Sequence, residues 1–187
     1  MKHRSIQVLA VATLAWGAVA IGPAQAFNPT PEPPSVVPLD SAHWVAGAGL
    51  PDSTGQSELG LVQVAPTAPD SHTLVASIQH LPSSVTELGV ATQTPSGIDP
   101  CWKVGVIGAD GSTFTLHLTT DSAQMVVVSS GGGDVAPFIQ WTWSLNLPSG
   151  DRVTSATAEA MSDPSTSSGG QVSFDGFSVN GQTISNP

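Results

Sequence analysis

Short apolar runs alternate with polar residues along most of the chain, and Gly, Pro, Asp, Asn and Ser separate one run from the next. The clearest case is residues 113–119, where Phe114, Leu116 and Leu118 alternate with threonines and a histidine. A period of two places the apolar side chains on one face of a strand and the polar side chains on the other. We therefore predict a strand with one buried and one solvated face.

A second strand is predicted immediately before it, at residues 101–107, where apolar residues again recur with a period of two. Asp110 and Gly111 lie between the two segments, and this pair readily adopts the positive φ angles of a two-residue hairpin turn. The pattern predicts an antiparallel pair.

Further segments have strand character. Residues 124–129 contain Met125 and three consecutive valines, a run typical of a fully buried strand. Residues 138–147 alternate over their whole length, with Trp141 and Trp143 on the apolar face, which we expect to face the core. Other strands are predicted at residues 58–64, 73–80, 85–92 and 152–160; the alanines of the last segment leave a helix as its alternative.

About nine strands at regular spacing, with no amphipathic helix of useful length, predict an all-β fold. The expected architecture is a single antiparallel β-sandwich, of jelly-roll or immunoglobulin-like kind, that spans residues 39–187.

The segment Phe174-Asp-Gly-Phe-Ser-Val-Asn-Gly181 resembles the last strand of galactose-binding-like jelly rolls in secreted bacterial proteins. The resemblance covers about the last 35 residues and implies a fold of that class. It does not extend to the ligand.

The first 26 residues have the pattern of a secretory signal peptide. Lys2 and Arg4 precede an apolar run at residues 6–21, and Ala24-Gln-Ala26 offers small side chains at a cleavage site. An uncleaved anchor is the alternative, but the run is shorter than the roughly 20 apolar residues that span a bilayer. We predict cleavage after Ala26 and export to a secreted, periplasmic or cell-surface location without membrane insertion.

Residues 27–38 contain five prolines, which fix φ repeatedly and remove backbone donors. They predict an extended arm ahead of the sandwich.

Removal of the leader leaves 161 residues, in which Lys103 and Arg152 face fourteen acidic residues, for a formal charge of −12. Nucleic acids and anionic membranes attract proteins through Lys and Arg. The charge therefore excludes both as partners.

Cys101 is the only cysteine, so no disulfide can form within the chain. A buried, inert thiol is the favoured interpretation. Pairing with a second chain and a nucleophilic role are the alternatives.

Exposed tryptophans would suit a glycan ligand, because flat amphipathic rings stack on sugar faces. Trp44 and Trp102 are the candidate binding residues. Loops that begin at Asp110 and Asp163 are oxygen-rich and are weak candidates for a structural calcium site, the one cofactor considered, although ordinary turn chemistry also explains them.

The histidines show no metal-binding spacing, and His117 is predicted on the solvated face of its strand. For hydrolysis, a carboxylate pair could be drawn from Glu58, Glu87 and Glu159, but nothing in the sequence brings two of them together.

The sequence favours an exported, non-enzymatic binding or structural module whose partner is a glycan or another cell-surface component. A small secreted acid-active hydrolase is one alternative. A self-assembling surface or filament subunit, joined through the arm or Cys101, is the other.

Overall fold

The computed structural model describes residues 30–51, 57–128, 136–163 and 170–187, with the backbone only at residues 51, 57 and 58. The predicted leader and the first residues of the predicted arm lie outside the described residues. Residues Pro31–Pro187 form one compact unit.

Two antiparallel sheets make up this unit. The first has five strands in the order β1-β4-β10-β6-β7. Their bounds are Ser35–Pro38 (β1), His72–Gln79 (β4), Ile98–Ile107 (β6), Thr113–Leu118 (β7) and Arg152–Ser162 (β10).

The second sheet has seven strands in the order β2-β3-β11-β5-β9-β8, and β12 pairs with β11 beside this path. Their bounds are His43–Pro51 (β2), Ser57–Val64 (β3), Glu87–Gln93 (β5), Gln124–Val127 (β8), Ile139–Ser144 (β9), Gln171–Val179 (β11) and Gln182–Thr183 (β12). A short 3-10 turn at Thr120–Ser122 connects β7 to β8 across the sheets.

The core fills the space between the sheets, as the predicted β-sandwich requires. Trp102 and Val104 of β6 contribute from one side, and Trp143 and Phe177 contribute from the other; all four are fully buried. The rings of Trp102 and Phe177 meet edge to face, with centroids 6.3 Å apart. The all-β sandwich is thus confirmed, and the segment 152–160 is strand, not helix.

The segment predicted from the family resemblance forms β11, which pairs with β3, β5 and β12 inside the seven-stranded sheet. Asn180 and Gly181 connect it to β12 with φ of 53° and 74°. Two successive positive φ angles are the geometry of a type I′ hairpin, which Asn-Gly favours.

Two local expectations were wrong, and a third was right except for the length of a turn. Ser35–Pro38, part of the predicted arm, is strand β1 and pairs with β4, so the domain begins before residue 39. The β6–β7 hairpin is confirmed, but its loop comprises residues 108–112 because Ile107 pairs with Thr113. The run at 124–129 is not a buried strand: β8 is the last strand of its sheet, and Met125 is 57% exposed.

Candidate functional site

The face of the five-stranded sheet that points away from the core is called the outer face here. Along β6, Trp102 and Val104 point inward, so Cys101, Lys103 and Gly105 lie on the outer face. Residues opposite one another on neighbouring strands share a face, and the register extends the outer face across the sheet. It contains, from β10, Ser155, Thr157 and Glu159, and from β7, Thr115 and His117.

A shallow groove of about 170 Å³ lies on the outer face. Its lining consists mainly of hydroxyl and apolar groups: Leu39, Leu74, Lys103, Gly105, Thr115, Ser155 and Thr157. Gly105 leaves room for the Ser155 hydroxyl in this lining, because a Cβ atom there would lie 2.5 Å from Ser155 Oγ.

Next to the groove, His72, Cys101 and Glu159 converge from three neighbouring strands. His72 Nδ1 lies 2.9 Å from Glu159 Oε2, and Cys101 Sγ lies 3.8 Å from that nitrogen and 4.0 Å from that oxygen. Cys101 and Glu159 are 1% and 3% exposed, whereas the His72 side chain is 38% exposed. The ring of His117 lies beside that of His72, with centroids 6.4 Å apart.

The thiol of Cys101 is not an activated nucleophile. Burial, and then the negative charges of Glu159 and Asp99, raise the pKa of the Cys101 thiol to about 12. A thiol must lose its proton to attack, and reactive cysteines have lowered pKa values. Because Cys101 is buried, its thiol is also inaccessible for a disulfide with a second chain.

The predicted glycan-binding tryptophans do not lie on the outer face. Trp102 is fully buried in the core, so the structure corrects its assignment as a stacking residue. Trp44 lies on β2 opposite the buried Leu61, and its half-buried ring packs against the core. Its role in binding stays a prediction. Trp143 is buried and Trp141 partly buried against the core, as their alternation predicts.

The two calcium candidates lie apart. Asp110 accepts a hydrogen bond from the Ser112 backbone N–H at 2.9 Å within the β6–β7 loop, and hydrogen bonds from Ser112 lower the pKa of the Asp110 carboxyl. This hydrogen bonding is ordinary turn chemistry, the alternative to a calcium site that the sequence left open at Asp110. Asp163 follows β10, and residues 164–169 of its loop lie outside the described residues. A calcium site stays a prediction.

Among the carboxylates proposed for hydrolysis, Glu159 belongs to the five-stranded sheet, and Glu58 and Glu87 belong to the seven-stranded sheet. Glu159 lies in β10 and Glu87 begins β5, while the side chain of Glu58 is not among those described. Their positions give no support to a catalytic pair.

A larger cavity lies elsewhere. It measures about 620 Å³ and separates residues 32–35 from residues 179–185 near the C-terminus. The segment ahead of β1 forms one of its walls, and Glu32 there is 70% exposed with a 3.4 Å contact to His80 Nε2. Strand-borne walls hold a site more rigidly, so the groove is the better-formed site.

Sequence reasoning missed the convergence of His72 and Glu159 on Cys101. The only available signal was the alternation along β6, which places Cys101 on the face opposite Trp102. No helix within the described part of the chain is long and apolar enough to cross a membrane.

Comparisons with known proteins find no matching family model and no matching curated protein. Among solved structures, the chain is similar to a family 3a carbohydrate-binding module from the cipA scaffolding of Clostridium thermocellum. The two share 15% sequence identity over 66% of this chain and 97% of that module, with a TM-score of 0.28. The assignment of this chain as an antiparallel β-sandwich follows from its own strand pairing.

Proposed function

We propose that the protein is an exported, non-enzymatic binding module that holds a neutral carbohydrate in the groove on the outer face. The observation that carries this proposal is the lining of the groove, in which three hydroxyl side chains and one ammonium group lie around Gly105.

The chemistry of the lining suits a sugar. Ser and Thr hydroxyls both donate and accept hydrogen bonds, which matches a ligand covered with hydroxyl groups, and the Lys103 ammonium adds up to three donors. Leu39 and Leu74 supply apolar surface for the C–H face of a sugar ring.

The charge of the chain favours a neutral glycan over an acidic one. Four basic residues against fourteen acidic residues give a net charge of −10, and a strongly acidic protein repels an anionic polymer. The leader pattern at residues 1–26 supports export, which would bring the module to extracellular glycans.

The alternatives have weaker support. A hydrolase needs two converging carboxylates, and Glu87 and Glu159 belong to different sheets. Assembly through the arm would need that segment to pack on a neighbour, whereas Ser35–Pro38 pairs with β4 of its own chain.

The test is calorimetric titration with soluble neutral oligosaccharides: fragments of cellulose, xylan, mannan and β-1,3-glucan. Loss of one hydrogen bond costs roughly 0.5–1.5 kcal/mol, or up to about 3 kcal/mol for a charged donor. We therefore expect Thr115→Val to weaken binding about fivefold and Lys103→Met about tenfold or more.

Thr113→Val is the matched control. Thr113 lies on the same strand and the same face as Thr115, two residues away and outside the groove lining. The affinity of the Thr113→Val variant for the oligosaccharide should stay within about twofold of that of the parent protein. Absence of binding to all four glycans, or equal effects of Thr113→Val and Thr115→Val, would overturn the proposal.

A further inference from the structure

Three side chains with different metal-ligating atoms meet on the outer face, on the three inner strands of the sheet. The imidazole of His72, the thiol of Cys101 and the carboxylate of Glu159 come from β4, β6 and β10, which are neighbours in the order β4-β10-β6. Their three ligand atoms form a triangle with sides of 2.9, 3.8 and 4.0 Å.

This triangle has the size of a metal coordination sphere. A point equidistant from its three corners lies about 2.1 Å from each, calculated as the radius of the circle through them. Protein ligands bind Zn²⁺ at about 2.0–2.1 Å for His nitrogen, 2.0–2.2 Å for carboxylate oxygen and 2.3 Å for Cys sulfur. An ion placed slightly above the plane would satisfy all three distances with shifts of a few tenths of an ångström.

We propose that His72, Cys101 and Glu159 form a binding site for a divalent metal ion of the zinc class. A thiolate with an imidazole is a soft to borderline ligand pair that suits zinc, whereas calcium and magnesium prefer oxygen ligands. The thiolate and the carboxylate together supply two negative charges, which balance the charge of the ion. This inference is independent of the proposed glycan binding.

The surroundings of the three side chains also bear on how an ion would enter and on what would complete its coordination. His72 is exposed enough to admit an ion from solvent, while Cys101 and Glu159 form a buried base. His117 is exposed beside His72 but is not one of the three residues whose ligand atoms lie within 4.8 Å of one another, so water is the candidate for a fourth ligand. The positive charge of Lys103, which pairs with His117 across β6 and β7, disfavours binding of a cation. The negative charge of Asp99 near Cys101 favours it.

Binding must displace a proton. The thiol is protonated in the metal-free protein, so forming the sulfur–metal bond releases one proton from Cys101 to solvent. In the metal-free protein, His72 Nδ1 and Glu159 Oε2 form a hydrogen bond at 2.9 Å, and a metal ion would replace this contact. Nδ1 then becomes a ligand, and a neutral imidazole keeps its single proton on Nε2.

The alternative is a purely structural network, in which His72 and the buried Glu159 are hydrogen-bonded and Cys101 packs beside them. Such a network would bind no metal. Calorimetric titration of the full, untagged chain with Zn²⁺ distinguishes the two, and titration with Co²⁺ adds a sulfur-to-cobalt charge-transfer absorption that reports the thiolate directly.

We expect one Zn²⁺ per chain, about one proton released per ion, and the cobalt–sulfur absorption. Cys101→Ser and His72→Gln should each weaken Zn²⁺ binding by about 100-fold or more, since even groups that only support a ligand contribute 10- to 100-fold. His43→Gln is the matched control, because His43 is an exposed histidine on the other sheet, and it should leave the affinity unchanged.

Folding of each variant is checked by circular dichroism without metal, and Glu159→Gln, which keeps the side-chain volume, provides a second variant if Cys101→Ser unfolds. Glu159→Gln should also weaken binding by more than about tenfold. No Zn²⁺ binding by the parent protein, or equal binding by the parent and both the Cys101 and Glu159 variants, would overturn the proposal.

Discussion

Trp102 and Trp143 are a matched pair for a test of the core. Both are 1% exposed or less, and they come from opposite sheets. Trp143 Nε1 donates a hydrogen bond to the Thr119 carbonyl oxygen at 2.8 Å. Trp102 Nε1 is buried and has no hydrogen-bond partner among the described residues.

Substitution by Phe removes the same ring atoms from both sites. The cavity term, about 1 kcal/mol, is therefore common to the two variants. Trp143→Phe also loses a hydrogen bond and leaves the Thr119 carbonyl without its donor, for a total cost of about 2–3 kcal/mol. Trp102→Phe removes an unpaired buried N–H, whose cost of about 1–3 kcal/mol offsets the cavity term.

The free energy of unfolding, measured by urea titration with far-ultraviolet circular dichroism, should thus be lower for Trp143→Phe than for Trp102→Phe by at least about 2 kcal/mol. In thermal melts the difference corresponds to about 4–8 °C for a domain of this size. If Trp102→Phe destabilises the protein as much as Trp143→Phe or more, the account of the two indole N–H groups is wrong.

Three further outcomes are expected. Asp175 accepts hydrogen bonds from the backbone N–H groups of Leu50 and Gly176, both at 2.7 Å, and from the Asn186 side chain at 2.9 Å. Asp175→Ala should therefore cost about 3–5 kcal/mol, seen as a lower melting temperature, and an unchanged melting temperature would contradict it. Burial, followed by the charge of a neighbouring aspartate, raises the pKa of the Asp99 carboxyl, so protonation stabilises the folded state and stability is lost as pH rises through that pKa. Asp99→Asn should raise the melting temperature at pH 7 and leave it unchanged well below pH 3.8. A larger increase at low pH than at pH 7 would contradict the raised pKa of Asp99. If the glycan binds in the groove, the affinity of the Trp44→Ala variant for it should stay within about twofold of that of the parent protein. A tenfold loss of affinity would place the ligand at β2 instead.

The local pattern predicted most strands because alternation depends only on neighbouring residues. Strands β3, β4, β5, β6, β7, β9 and β10 lie close to their predicted positions. The exposure of β7 and β8 was not predictable, because both strands are sheet edges and strand order depends on contacts distant in sequence. Phe114 alternates as a buried residue would, yet it is 40% exposed at such an edge.

The side-chain cluster was unpredictable for the same reason. His72 and Cys101 are 29 residues apart, and Cys101 and Glu159 are 58 residues apart. They meet only because β10 lies between β4 and β6. Spacing along the chain therefore carries no metal-binding signal, although each residue type was visible.

Binding at the outer face is tested most directly by amide chemical-shift mapping of the protein with a neutral oligosaccharide that binds in calorimetry. We predict that the largest shifts occur around the groove, at the amides of Lys103, Gly105, Thr115 and Thr157. Shifts confined to the cleft between residues 32–35 and 179–185, or to the seven-stranded sheet, would contradict the account.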